Sequence, residues 1–173
     1  MNLMRITISN LKEKEVNEFY RLFKKTLKRD FPEYSREVRE IQLDRDFTKK
    51  NFLKMVGRKD EVVIVVKVRG EIVGFAVLGK DKGGVVELIW LGVKRGFRNS
   101  GIGSKLLSAI ERWAKEHKCH CLLVNTENKR NVAFYLKRGY DYVGMQKEAW
   151  YGVNEYLLQK NIGKPFKSIL KIQ

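Results

Sequence analysis

Apolar and polar positions alternate along the first residues, where Met4, Ile6 and Ile8 interleave with Leu3, Arg5 and Thr7. That period of two predicts a strand. Asn10 followed by Glu13 has capping-box spacing, and Val16, Phe19, Phe23 and Leu27 then fall on one helical face. Residues 30–35, with Pro32 among them, predict a loop, and residues 35–57 a second, broken helical stretch. The period then changes. Val62–Val68 is an almost continuous β-branched run; Arg69, Gly70 and Glu71 turn it into a second run over 72–78, and residues 80–84 turn that into Val85–Val93. This is a meander of three strands. Helical spacing returns with Ile102, Leu106, Leu107, Ile110 and Trp113 and lasts to about His117. Cys121–Thr126 predicts a further strand, Val132 to Leu136 a short helix closed by Gly139, and 140–146 with 154–160 a final antiparallel pair. The expected fold is one α/β domain over residues 1–161, with a mixed, mostly antiparallel sheet of about seven strands flanked by helices. A tail, 162–173, carries Phe166, Ile169 and Leu170 among lysines, placed to pack on the domain or at a dimer contact. Either a monomer or a homodimer is compatible with it.

Composition changes this picture in one respect. The 173 residues suit a single core, and 43% hydrophobic with 32% charged residues is a globular balance. No apolar run approaches the ~20 residues that span a bilayer, and the first residues lack a signal-peptide layout. Two cysteines, Cys119 and Cys121, make no disulfide framework. A cytoplasmic protein without membrane association is the expectation. The outlier is a formal charge of +16. It suits a nucleic acid, an acidic membrane or a phosphorylated cofactor, and equally a lysine-rich solvated surface. No nucleic-acid-binding motif accompanies it.

The most informative segment is the turn from the Val85–Val93 strand into the helix beginning near Ile102. Gly101 and Gly103 let backbone N–H groups approach an anion, and the helix start adds unpaired donors and a positive dipole end. Arg98 adds a cation and Ser104 a hydroxyl. A nucleotide P-loop is excluded, because Ile102 stands where its lysine must be; a dinucleotide fingerprint is excluded by Leu106 in place of a third glycine.

What remains resembles the GNAT acetyltransferase signature, Gln/Arg-x-x-Gly-x-Gly/Ala, met by Arg98, Gly101 and Gly103. Asn128, Tyr135 seven residues later, and Gly139-Tyr140 are similar to the second signature of that superfamily. The element order agrees from about residue 3 to residue 160. The resemblance implies an N-acetyltransferase that uses acetyl-coenzyme A as acyl donor and a primary amine as acceptor. Its pyrophosphate would take N–H groups from Arg98, Asn99, Ser100, Gly101, Ile102, Gly103 and Ser104. The pantetheine arm would lie along Leu91, Gly92 and Val93, with Asn128 on its other side and the Val93 N–H on the carbonyl. The resemblance assigns Tyr135 as acid to the departing thiolate; on its residues alone it also reads as core packing beside Phe134. Glu87 corresponds to the general-base glutamate of the histone-acetyltransferase branch. Alternation puts Glu87 on one face with Ile89, Leu91 and Val93, whose apolar surroundings would raise its pKa; an ion pair with a lysine is the competing reading. Ribosomal-protein N-terminal acetyltransferases carry a glutamate where this chain has Leu123. Two bland functions stay open beside transfer, a basic nucleic-acid-binding module and a cofactor-binding protein without activity.

The run His117, Lys118, Cys119, His120, Cys121 has metal-ligand residue types but no second cluster to close a site, so no metal is expected. Substrate selection is expected from the loop around Asp30, Phe31, Glu33 and Tyr34 and from the last hairpin around Trp150 and Tyr151.

Overall fold

In the computed structural model, which describes residues 6–165, β1 (Ile6–Asn10) leads into α1 (Val16–Asp30), α2 (Arg36–Ile41) and α3 (Lys49–Met55). The meander follows as β2 (Val62–Val68), β3 (Glu71–Leu78) and β4 (Val85–Val93), and then α4 (Ile102–Glu116), β5 (Cys121–Thr126), α5 (Lys129–Leu136), β6 (Asp141–Gln146) and β7 (Glu155–Asn161). They form one sheet in the order β1-β2-β3-β4-β5-β7-β6. Every neighbouring pair is antiparallel except β4 and β5, which α4 links as a parallel pair. The α/β class, the mixed seven-stranded sheet and the flanking helices are those expected.

Helices on both faces explain the β-branched run. Ile64 and Val66 of β2 pack with Leu106, Leu107, Ile110 and Trp113 of α4. Val63 and Val65 face Phe19, Phe23 and Leu27 of α1 and Phe52 of α3. A strand covered twice has no polar side, so its sequence cannot alternate.

Two expectations are corrected. Asn10 is the last residue of β1, paired with Ile64, so helix entry is delayed and Glu15 accepts the Lys12 N–H at 3.0 Å. Ile6 and Ile8 lie exposed on this edge strand, while Met4 falls outside the described residues. The second concerns β4. Opposite β3, Val77 faces Trp90 but Leu78 faces Leu88, leaving Ile89 as an extra residue. Such a bulge reverses which face later side chains occupy. Leu88 therefore packs against the α4 face and Trp90 against the α1 face, while Leu91 and Val93 pack on the α4 side. Glu87 does not share their face. The tail residues Phe166, Ile169 and Leu170 lie outside the described residues. Among the described residues no helix is long and apolar enough to cross a membrane.

Candidate active site

The β4 bulge sits where the sheet opens. β4 pairs with β5 only from Val85 opposite Cys121 to Leu88 opposite Val124, and residues 89–93 have no β5 partner. The gap is a cleft of about 410 Å³, floored by Leu91, Gly92 and Val93 and closed at one end by the turn into α4. Gly92 allows this floor to lie flat, because a Cβ there would stand 2.4 Å from Cζ of Phe75, a core ring. At the turn, Asn99 (φ 60°) and Gly101 (φ 81°) are left-handed, and Gly101 caps α4. The first intrahelical bond runs from the Lys105 N–H to the Gly101 carbonyl at 3.0 Å. The N–H groups of residues 102–104 thus have no partner within the helix, and they carry its positive dipole end.

Leu91, Gly92, Val93, Arg98, Asn99, Gly101, Gly103 and Ser104 all line this cleft, as does Tyr135. The side chains of Ser100 and Ile102 do not, since Ser100 Oγ donates to the Phe97 carbonyl and Ile102 is buried in the core. Arg98 is not a free cation. Its guanidinium is paired with Asp30, and its Nε donates to the Val93 carbonyl at 3.1 Å. Asn128 is likewise occupied: Oδ1 accepts the Arg130 N–H and Nδ2 donates to Glu33 Oε1, each at 2.9 Å. Asn131, one turn further along α5, lines the cleft instead. A Cβ on Gly103 would come 3.2 Å from the Phe134 ring, so that glycine makes room for an aromatic wall.

Sequence reasoning missed Arg138. It lies over the Phe134 ring at 3.7 Å and donates to Ser104 Oγ at 2.6 Å, bringing a second guanidinium to the cradle. No local signal marks it, because α4 and α5 meet only in the folded chain.

A second, narrower pocket of about 80 Å³ opens on the other side of the β4–β5 gap. Phe31, Leu91, Asn131 and Tyr135 line both spaces, so the two adjoin along a wall that includes Tyr135. The ring of Tyr135 is 6% exposed; burial, with Tyr140 and Glu127 nearby, raises its pKa and keeps the hydroxyl protonated. Three carboxylates, Glu87, Glu127 and Glu155, line the narrow pocket. Glu127 was not anticipated. Burial pushes it up to about 7, its own backbone N–H opposes this, and Glu33 and Glu155 add to it. Burial, and then Glu87, raises Glu155. Glu87 is exposed and accepts from Asn125 Nδ2 at 3.3 Å, in contrast to the apolar setting expected from simple alternation. Of the expected selectivity residues, Phe31, Tyr34 and Trp150 line this pocket. Asp30 belongs to the larger cleft, and Tyr151 turns away to donate to Asp46. The His117–Cys121 run joins α4 to β5, with both thiols buried.

A sheet split beside a glycine turn and an unpaired helix start makes an open cleft with a cradle for an anionic group. The Acetyltransferase (GNAT) family profile matches residues 16–140, more than half of the chain, and the chain belongs to that family. It is 36% identical over 81 residues to YdhI of Bacillus subtilis (strain 168), a match covering 44% of this chain and 47% of that one. The chain thus spans about half the length of this curated relative. Among solved structures, PaiA N-acetyltransferase of Thermoplasma acidophilum, in complex with coenzyme A, superposes with a TM-score of 0.78 at 20% identity, over 91% of this chain and 99% of that one. The ribosomal-protein-S18-alanine N-acetyltransferase of Escherichia coli gives 0.70 at 16% identity, over 92% and 96%. At such identities the likeness concerns the fold.

Proposed function

We propose that this protein is an N-acetyltransferase that moves the acetyl group of acetyl-coenzyme A onto a primary amine. The observation that carries this reading is Tyr135 on the wall shared by the two spaces, one ending at the unpaired start of α4 and the other acidic. The N–H groups at the start of α4, with Arg138 and Arg98 nearby, would hold the pyrophosphate, and the free edge of residues 91–93 would hold the pantetheine arm.

The acceptor must shed a proton first, because an ammonium has no lone pair; a lysine-type amine has a pKa of ~10.4. A carboxyl near neutrality is suited to take that proton, and this favours Glu127 as the base. Glu87, at the exposed rim, hands on a proton or orients the amine. The amine nitrogen then forms a bond to the acetyl carbon while a backbone N–H of the β4 edge supports the oxyanion. The carbon–sulfur bond breaks, the sulfur takes its proton from the Tyr135 hydroxyl, and the proton the former amine nitrogen must still lose to become an amide returns to the Tyr135 oxygen. The test is free-thiol release from acetyl-coenzyme A with a panel of amines, with product mass increased by one acetyl group. Cofactor binding without transfer to any amine would refute it.

A further inference from the structure

The narrow pocket is acidic in a chain whose net charge is +16. Glu87, Glu127 and Glu155 line it, and Glu33 adjoins them through Asn128. Among the described residues none of these four carboxylates pairs with a lysine, arginine or histidine. Glu155 is only 7% exposed, yet its side chain makes no hydrogen bond among the described residues. A carboxylate largely withdrawn from water and lacking a partner is stabilised by a nearby cation. The walls are Phe31, Trp90 and Trp150. About 80 Å³ between aromatic faces admits an unbranched methylene chain, and such faces attract ammonium groups.

Resting on the acetyl-transfer reading of the site, we propose that the acceptor is an aliphatic diamine or polyamine, a primary amine whose second ammonium group is held by Glu155. The reacting nitrogen gives up its proton and becomes a neutral amide, so it cannot offset the buried carboxylates through the reaction. A second ammonium does so in substrate and product alike. Glu127 serves the reacting nitrogen, and Glu155, one register step from the β5 end, serves the distant one. Burial holds Glu155 toward its protonated form until such a cation arrives. A lysine side chain fits less well, because it carries a single ammonium group and the reaction neutralises it.

The experiment compares diaminobutane, spermidine, butylamine and a lysine-containing peptide as acceptors, by thiol release with saturating acetyl-coenzyme A. The expected kcat/KM for diaminobutane exceeds that for butylamine by about 10- to 100-fold, the loss associated with one charge-assisted hydrogen bond. Glu155→Gln brings the ratio to within about threefold while leaving the acetyl-coenzyme A-induced rise in Tm unchanged. Equal values for diamine and monoamine, preference for the peptide, or a ratio untouched by Glu155→Gln overturns the proposal. Should that variant not fold, the wild-type ratio decides without it. Amines acetylated with no diamine preference sink this inference alone. No amine acetylated, with acetyl-coenzyme A still raising Tm, sinks the transfer reading as well.

Discussion

Glu127→Gln offers the sharpest test, because it should make the protein more stable and less active together. The carboxyl binds its proton more tightly in the folded chain, with its pKa moving from 4.5 to about 7. Its contribution to stability is therefore fully present below 4.5 and is lost as pH rises through 7. Above that, the native state holds a buried charge. At ~1.4 kcal/mol per pH unit the difference amounts to about 3 kcal/mol. Glutamine keeps the size of the side chain but cannot ionise. The stability of Glu127→Gln relative to wild type should therefore improve by about 2–3 kcal/mol between roughly pH 5 and pH 8.5, since other titrating groups cancel in the comparison. Urea unfolding at both pH values measures it, with equal m-values as the check on two-state behaviour. In parallel, turnover at neutral pH should fall by about 10²- to 10⁴-fold, the usual worth of a general base, and recover partly at high pH as free amine accumulates. Wild-type kcat/KM should rise through an apparent pKa near 7, and Glu87→Gln should retain that limb. A stability difference that does not vary with pH would refute the burial argument. A neutral-pH limb that survives in Glu127→Gln would refute its role as base.

Tyr135→Phe should lower kcat by about 10- to 100-fold with acetyl-coenzyme A affinity nearly unchanged, since only a transition-state interaction is lost; single-turnover kinetics and calorimetric titration separate the two. Gly103→Val should weaken acetyl-coenzyme A binding by at least about tenfold in a folded protein, because its methyl groups displace Phe134 and with it Arg138. Undiminished calorimetric affinity would remove that wall from the binding site. Asp30→Asn should tighten acetyl-coenzyme A binding by about 3- to 10-fold, because it removes a negative charge from the cleft and releases Arg98. An unchanged Kd would mean that the Arg98–Asp30 pair lies away from the phosphates.

The sequence by itself determined the elements and the cradle. Val62–Val68, Val85–Val93 and Cys121–Thr126 match their strands residue for residue, because hydrophobic period and turn glycines are local properties. The glycine turn before α4 is legible for the same reason, since Gly101 and Gly103 mark it in the chain itself; that Gly101 and its neighbour Asn99 are both left-handed is seen only in the fold. What tertiary structure alone decided is which side chains meet. The bulge at Ile89 depends on how β4 pairs with β3, and it separates Glu87 from Leu91 and Val93 where counting by twos joins them. Arg138 reaches Ser104 across two helices, and Asp30 reaches Arg98 from the end of α1, contacts with no trace in local spacing. Glu127 and Glu155 read as ordinary surface glutamates along the chain. They become an acidic pocket only when β7 lies against β5, because burial, which moves a carboxyl's pKa, belongs to the packed molecule and not to the residue.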